Sequence, residues 1–182
     1  MTTGERRTRE SASTLTELNL IYTLCFLTRG DQVLMLYRYR PPNQSLWNGV
    51  GGRIEPGESP LQSCLREVAE ETGYRPPTAH FRGILTWRGF ETPDAGLYLF
   101  TAPAPDVDPQ PCAEGILQWH PLEWVLSAPE VVSNLHICGP HIFGDDPPRL
   151  FHFEYQAGLI VNHSIERLPK GFSCEQFSRK VY

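Results

Sequence analysis

Apolar residues fall in short β-rich runs that predict a sheet. Two runs, residues 20–27 and 33–37, flank a turn signal at residues 29–32, so we predict that they form an antiparallel hairpin. Further strands are predicted at residues 81–87, 97–101, 116–119, 150–155 and 159–163, the last two as a second hairpin. Helical segments interrupt this series without strict alternation, which favours an α+β fold, a mixed α/β/α sandwich.

One helix is predicted together with both of its ends. Ser59 suits the N-cap, Pro60 suits the first helical position, and Gln62 completes a Ser-x-x-Gln capping box. Gly73 stands where a left-handed residue would end the helix. Two shorter helical segments are predicted at residues 121–126 and 131–138.

The pattern inside this helix predicts two different faces. The stripe that should face the core consists of Leu61, Leu65, Val68 and Thr72. The opposite side then carries Glu67, Glu70 and Glu71. Like charges at this spacing repel and raise one another's pKa. An acidic run alone is typical of a solvated face, whereas carboxylates beside a suitable turn indicate a bound cation.

A glycine-rich segment precedes the helix and supplies that turn. Residues 41–45 are a loop by composition, and residues 46–52 are too rich in glycine for the centre of a strand. We expect the backbone there to approach a ligand closely. Because Mg²⁺ binds carboxylate and carbonyl oxygens and keeps water and phosphate as its other ligands, the turn and the acidic helix together predict a magnesium site.

Length and composition predict one globular domain. The chain has 182 residues, 40% of them apolar. We place the domain at residues 18–165, after a flexible polar leader at residues 1–17 and before a tail at residues 166–182. The sequence is compatible with a homodimer.

Charge and hydropathy limit the binding partners and the cellular location that the sequence predicts. A net charge of -5 argues against a nucleic acid polymer and leaves a small anion whose charge a metal offsets. The apolar runs are too short for a membrane span, and five scattered cysteines without a CxxC pair indicate reduced thiols. We therefore expect a cytoplasmic protein.

The acidic helix and the glycines together resemble a known family motif. Gly52, Glu58 and residues 66–74 (REVAEETGY) resemble a complete Nudix box. The resemblance implies a mixed sheet between helices and metal-assisted hydrolysis of a nucleoside diphosphate linked to another group. It extends through most of residues 20–165 and is strongest toward the MutT-like branch, which hydrolyses nucleoside triphosphates, including oxidised purine ones.

The resemblance also implies roles for individual residues. The implied ligands of Mg²⁺, with Mn²⁺ as a substitute, are Glu67, Glu70, Glu71, Glu114 and a backbone carbonyl of Gly51 or Gly52. Arg66 and Glu58 are expected to hold these carboxylates in place. The implied catalytic set is Arg66, Glu67, Glu70 and Glu58, with one glutamate or a loop carboxylate as general base. By position alone, Glu114 is equally an ordinary surface residue.

Candidate nucleotide contacts each have a structural alternative. Asn48 suits the edge of a purine, or it stabilises a turn beside Gly49. The candidate phosphate contacts are Arg38, Arg40 and Arg53, of which we favour Arg53. Trp87 and Tyr98 either stack on a base or belong to the core.

The base pocket is where the chain departs from the enzymes that it resembles. Oxidised-purine hydrolases of the branch clamp the base with a tryptophan and acidic residues, but residues 131–136 here read VVSNLH. Asn134 or His136 would have to substitute, although a lone histidine is more often structural.

Three functions follow from the sequence. The leading one is a Mg²⁺-dependent pyrophosphohydrolase that cleaves a nucleoside triphosphate, such as an 8-oxo-dGTP-like one, to monophosphate and pyrophosphate. The second keeps the chemistry and changes the substrate to ADP-ribose or a dinucleotide polyphosphate. The third is a non-catalytic Nudix domain that binds a ligand.

Overall fold

The computed structural model describes residues 18–169, 172 and 174, so the predicted leader lies outside the described residues. Within them the strands are β1 (Leu20–Arg29), β2 (Gln32–Arg38), β3 (Trp47–Asn48), β4 (His80–Arg88), β5 (Ala95–Pro103), β6 (Gly115–Pro121), β7 (Arg149–Gln156) and β8 (Leu159–Arg167). The helices among the described residues are α1 (Pro60–Thr72), α2 (Leu122–Val125) and α3 (Ser133–Phe143). No helix in this part of the chain is long and apolar enough to cross a membrane.

All of these strands belong to one mixed sheet. Its order is β3-β2-β1-β5-β4-β7-β8, and β6 pairs with β2. The predicted hairpins β1–β2 and β7–β8 are antiparallel, as expected. The pairs β1–β5 and β4–β7 are parallel, which joins strands that are distant in the sequence.

Helices cover both faces of the sheet, which confirms the predicted sandwich. On one face, Cys64 and Val68 of α1 pack into a core cluster with Leu27 and Phe100. On the other face, Leu135, Cys138 and Ile142 of α3 pack into a second cluster with Phe26, Leu99 and Phe151. Burying one such aliphatic side chain stabilises the fold by roughly 1.5–3 kcal/mol, so each helix is fixed mainly by its apolar side.

The predicted ends of α1 are confirmed. The Gln62 backbone N–H donates to Ser59 Oγ over 3.2 Å, and the Ser59 N–H donates to Gln62 Oε1 over 2.8 Å. Gly73 has a φ of 77° and ends the helix, with its N–H donating to Ala69 O.

The predicted faces of α1 need a correction. Leu61 and Leu65 are only partly buried, while the buried positions of α1 are Pro60, Ser63, Cys64, Val68, Glu71 and Thr72. The prediction that Glu71 shares the solvent side was therefore wrong. The buried face is rotated from the predicted one because the glycine turn covers the end of the helix that carries Glu71.

Three other elements differ in extent from their predictions. The glycine-rich segment does form a short strand, β3, and then continues along β1, where Val50 pairs with Cys25. The helix predicted at residues 131–138 extends to Phe143. Strand β8 continues to Arg167, and beyond it the Phe172 ring stacks on Phe81 at 5.7 Å. The division into leader, domain and tail stays a prediction.

Candidate active site

The glycine turn holds Glu71 against β1. The Gly51 N–H donates to Glu71 Oε2 over 2.8 Å, and the Thr23 N–H donates to Gly52 O over 2.8 Å. Gly51 has a φ of 151°, and a Cβ there would collide with the Thr23 carbonyl. Only glycine therefore allows the turn to lie this close to β1 and to present its N–H to Glu71.

The neighbouring glycine leaves room for a second carboxylate. A Cβ built on Gly52 would lie 2.5 Å from Glu67 Oε1. The carboxylate of Glu67 thus occupies the space that a side chain at position 52 would fill. The predicted close approach at the glycine-rich segment is an approach of the acidic helix itself.

Arg66 connects the carboxylates of α1. It binds Glu58 twice, from Nε to Oε1 over 2.7 Å and from Nη2 to Oε2 over 2.9 Å. Its Nη1 donates to Glu67 Oε1 over 2.8 Å and to Glu70 Oε2 over 3.2 Å. Nη2 also donates to the Arg53 carbonyl over 3.0 Å. One guanidinium therefore ties the start of α1 and the glycine turn to two of the three helix glutamates.

The carboxylate cluster, defined as Glu67, Glu70, Glu71 and Glu114, carries more negative charge than its surroundings offset. The pKa of Glu71 is raised to about 8, mainly by burial; the neighbouring Glu114 and Glu67 contribute to this rise, and the hydrogen bond from Gly51 opposes it. Burial also raises the pKa of Glu67, although Arg66 opposes this. Hydrogen bonding to Arg66 lowers the pKa of Glu58. The cluster is thus poised to gain a cation.

Several features of the cluster fit a divalent ion. Glu71 Oε1 is buried and has no hydrogen-bond partner among the described residues. Oxygen donors from carboxylates are the set that Mg²⁺ prefers. Among residues 18–169, 172 and 174, however, no three His, Cys, Asp or Glu side chains already converge on one ion-sized point. Glu67 and Glu70 instead contact Arg66, so binding a metal would require them to turn.

A cavity of about 250 Å³ opens beside the cluster. Gly51, Gly52, Arg38 and Glu114 line the side nearest the carboxylates. Arg38 Nη1 lies 3.4 Å from Glu114 Oε2, and its Nε donates to the Pro42 carbonyl over 2.8 Å. The cavity therefore has a charged side where phosphate groups and a cation can meet.

The other side of the cavity is apolar. Its aromatic wall consists of Tyr22, Trp87, Phe90 and Tyr155. The rings form a continuous series: Tyr22 stacks on Trp87 at 6.1 Å, Trp87 contacts Phe90 at 6.4 Å, and Phe90 contacts Tyr155 at 4.8 Å. Further apolar side chains complete this side, namely Leu24, Phe26, Leu85, Leu97, Leu99, Leu135, Cys138 and Ile142. A planar apolar group fits this surface.

The predicted nucleotide contacts are placed differently from one another. Asn48 lines the cavity, and its Oδ1 accepts the Gly49 N–H over 2.8 Å, so it both borders the site and stabilises the turn. Arg38 also lines the cavity, whereas the side chains of Arg40 and Arg53 are exposed and are not among its lining residues. Arg53, which we favoured, reaches the site only through its carbonyl.

The residues predicted to contact the base also divide into two groups, those that line the cavity and those with a structural role. Trp87 and Asn134 line the cavity. Tyr98 is 1% exposed inside the core, and His136 Nε2 bonds to the Ala128 carbonyl over 2.9 Å, so both are structural. Sequence reasoning missed Tyr22, Phe90 and Tyr155. Alternation along β1 puts Tyr22, Leu24 and Phe26 on one face and could have indicated the first, but the other two depend on the β4–β7 pairing.

A mixed sheet between helices, with an acidic helix held against a glycine turn, defines the class of protein. The NUDIX domain model matches residues 19–137, more than half of the chain, so the protein belongs to the Nudix hydrolase family, which acts on nucleoside diphosphate-linked substrates.

Individual relatives agree with this assignment. Over 120 residues the chain is 31% identical to an uncharacterized Nudix hydrolase, YvcI, of Bacillus subtilis, covering 63% of this chain and 74% of that one. Over 160 residues it is 27% identical to an oxidized purine nucleoside triphosphate hydrolase of Mus musculus, covering 81% and 95%. The crystal structure of a MutT protein from Bacillus halodurans superposes with a TM-score of 0.68 at 25% identity, covering 79% and 95%.

Proposed function

We propose that the protein is a Mg²⁺-dependent pyrophosphohydrolase that cleaves a nucleoside triphosphate to the nucleoside monophosphate and pyrophosphate. The observation that carries the proposal is that one cavity extends from Glu114 and the glycine turn, which holds Glu71, to the aromatic wall. A nucleotide has the same two parts, a polyphosphate that needs cations and a planar base that needs apolar surface. The similarity to the mouse oxidized purine nucleoside triphosphate hydrolase over 81% of this chain supports the same substrate class.

The charged side of the cavity provides the groups that hydrolysis needs. Glu67, Glu70, Glu71 and Glu114 would hold Mg²⁺, which when bound polarises phosphoryl oxygens and offsets their charge. The carbonyl of Gly52 already accepts the Thr23 N–H, which leaves the Gly51 carbonyl as the better backbone candidate. Mn²⁺ is expected to substitute, since it takes the same oxygen ligands.

The residues of the chain position the reactants around the phosphorus atom. Arg38 lines the cavity and would bind the polyphosphate by exchanging its pairing with Glu114 for a substrate oxygen. Water attacks the α- or the β-phosphorus, a carboxylate of the cluster takes the water proton, and the P–O bond to the leaving pyrophosphate or nucleoside monophosphate breaks. Arg66 keeps Glu67 and Glu70 near the reacting centre, as a positioning residue.

Product identity tests the proposal. The full chain is incubated with Mg²⁺ and a panel of ordinary and oxidised nucleoside triphosphates, and with ADP-ribose and a dinucleotide polyphosphate. Monophosphate plus pyrophosphate from a triphosphate is the expected result. Two monophosphates from ADP-ribose with no pyrophosphate from any triphosphate would assign the second function instead. If none of the compounds gives a product, the third function applies, a non-catalytic Nudix domain that binds a ligand.

Variants show whether the cluster carries the activity. Glu67→Gln and Glu71→Gln should each lower kcat by roughly 100-fold or more, because each removes a charged ligand while keeping the shape of the side chain. Glu123→Gln is the matched control, since Glu123 is exposed at the start of α2. Equal losses in all three variants would contradict the assignment of the cluster.

A further inference from the structure

The β5–β6 loop, defined as residues 104–114, brings Glu114 to the cavity. These residues form neither a helix nor a strand, and Glu114 lines the cavity together with Gly51 and Gly52. The Tyr39 N–H donates to Glu114 O over 3.0 Å, so the residue that follows β2 holds the end of the loop. A segment without regular structure keeps its shape only through such contacts. The position of the Glu114 carboxylate therefore depends on every point at which the loop is held.

The end of α1 holds the middle of the β5–β6 loop. The Gln110 N–H donates to Thr72 O over 2.9 Å, and the Tyr74 hydroxyl donates to the Val107 carbonyl. Tyr74 is itself fixed to the end of the helix, because its N–H donates to Thr72 Oγ1 over 3.1 Å. Two backbone groups of the loop are thus bound to the residues that end the acidic helix.

Gly73 allows the loop to come this close to α1. A Cβ built on Gly73 would lie 2.6 Å from Gln110 Cδ. The side chain of Gln110 therefore lies over the glycine that ends the helix. Any larger residue at position 73 would push the loop away.

The segment between this contact and Glu114 is short and stiff. Pro109 and Pro111 flank Gln110, and proline fixes its own φ. A displacement at Gln110 is therefore passed on to Glu114 instead of being absorbed between them. The other three members of the carboxylate cluster lie on α1 itself. The helix that carries three carboxylates thus also sets the place of the fourth.

We propose that Tyr74 is a positioning residue of the metal site, which ties the β5–β6 loop to the end of α1 and so holds Glu114 beside the glutamates of the helix. Tyr74 is 5% exposed and is not among the residues that line the cavity, so it acts on a bound ion only through the loop. The inference rests on the proposed function, because it takes the carboxylate cluster to be the Mg²⁺ site. Without the tie every carboxylate remains, but one of them is less well placed.

Amide hydrogen exchange of the metal-free protein tests the tie itself. Tyr74→Phe keeps the ring and removes the hydroxyl. We expect exchange of the Gln110 N–H to become at least about threefold faster, because the loop opens more often. Tyr39→Phe is the matched control, since the Tyr39 side chain is 51% exposed, and it should keep the wild-type rate. An unchanged rate in Tyr74→Phe would show that the hydroxyl does not hold the loop.

Calorimetric titration with Mg²⁺ tests the effect on the metal site. Tyr74→Phe should raise the Kd for Mg²⁺ roughly tenfold, and Tyr39→Phe should leave it unchanged. Glu114→Gln should also raise the Kd, and adding Tyr74→Phe to it should raise the Kd no further, because the two residues act on the same contact. If Tyr74 only stabilised the fold, its loss would be the same in both backgrounds.

The titration needs no substrate, which keeps this inference separate from the reaction. If no nucleotide is hydrolysed but the two losses in Mg²⁺ affinity are not additive, the proposed function fails and the inference stands. If triphosphates are hydrolysed and Tyr74→Phe keeps the wild-type Kd, or if the losses are additive, the inference is overturned.

A second variant covers a failure of Tyr74→Phe to fold. Gln110→Gly removes the side chain that lies over Gly73 and frees the same loop. It should raise the Kd for Mg²⁺ in the wild type and not in Glu114→Gln. A wild-type Kd in Gln110→Gly would then overturn the inference.

Discussion

Arg66 and Glu58 form a two-point contact, with Nε donating to Oε1 over 2.7 Å and Nη2 to Oε2 over 2.9 Å. This geometry needs the planar fork of arginine and a carboxylate that can accept at both oxygens. Because the same guanidinium reaches Glu67 and Glu70, its orientation sets where two carboxylates of the cluster lie.

Replacing this fork while keeping its charge should therefore reduce activity more than stability. We expect Arg66→Lys to lower kcat/KM by about 10- to 100-fold, because an ammonium group cannot bind Glu58 at two points and Glu67 at the same time. The partly exposed ion pairs themselves contribute little, so the free energy of unfolding should change by about 1 kcal/mol or less. Steady-state kinetics and thermal unfolding measure the two effects.

Arg88→Lys is the control because the Arg88 side chain is 71% exposed. Equal losses of kcat/KM in both variants would contradict the role of Arg66.

The buried carboxyl of Glu71 should make the stability of the metal-free protein depend on pH. Its folded-state pKa of about 8 lies above the ordinary value of 4.5. Between these values the folded state keeps a proton that the unfolded chain has lost, so stability falls as the pH rises from about 4.5 to 8. Glu71→Gln has no such proton and still accepts the Gly51 N–H.

We expect the variant to gain stability over the wild type across this pH window, with a plateau above pH 8 at a few kcal/mol. Thermal unfolding in chelator at several pH values measures the difference. Glu123→Gln should follow the wild type. A difference between Glu71→Gln and the wild type that is constant with pH would show that Glu71 titrates normally.

Adding Mg²⁺ to the protein should displace that same proton. At pH 7 we expect binding to release up to about one proton, and at pH 9 almost none, because the metal needs the ionised carboxylate. Titration calorimetry in two buffers with different ionisation enthalpies counts the protons. Glu71→Gln should bind Mg²⁺ more weakly and release fewer protons at pH 7. Identical heats in the two buffers at pH 7 would contradict this linkage.

A methyl group on Gly52 should damage the site more than the fold. In Gly52→Ala the new Cβ would meet the end of the Glu67 side chain, which can move away only by leaving its place in the cluster. We expect at least a tenfold loss of kcat with a loss of stability of about 1 kcal/mol or less.

The control for Gly52→Ala is a variant that should lower stability and leave kcat unchanged. Gly158 has a φ of 78° and open space around it, so Gly158→Ala introduces backbone strain of about 1 kcal/mol without touching the cavity. It should lower stability and keep kcat. If Gly52→Ala retains full activity, Glu67 does not depend on the space that glycine leaves.

Local sequence signals predicted the local parts of this molecule. The capping box at Ser59 and Gln62 and the left-handed Gly73 follow from neighbouring residues, and the structure has all of them. Hydrophobic runs located the hairpins for the same reason. The buried face of α1 could not be obtained this way, because the Gly51 N–H that draws Glu71 inward belongs to a segment that pairs with β1.

The base side of the cavity shows the same limit. Asn134 was considered from the sequence because its segment differs from the expected pattern. That Tyr155 would line the same cavity was not visible, since this requires the parallel pairing of β4 with β7, which brings Tyr155 beside Phe90. Parallel partners leave no turn signal between them, so sequence patterns do not reveal which strands will meet.

The cavity is divided between two stretches of the polypeptide. Every member of the carboxylate cluster lies within residues 19–137, the range that the family model matches, whereas Cys138, Ile142 and Tyr155 line the cavity from beyond it. Part of the wall that would face a base is therefore encoded apart from the residues that would cleave the phosphate chain. A chimaera that exchanges residues 138–156 with those of another family member should keep the reaction and change the preference only through these positions, which makes this stretch one place to redesign the enzyme.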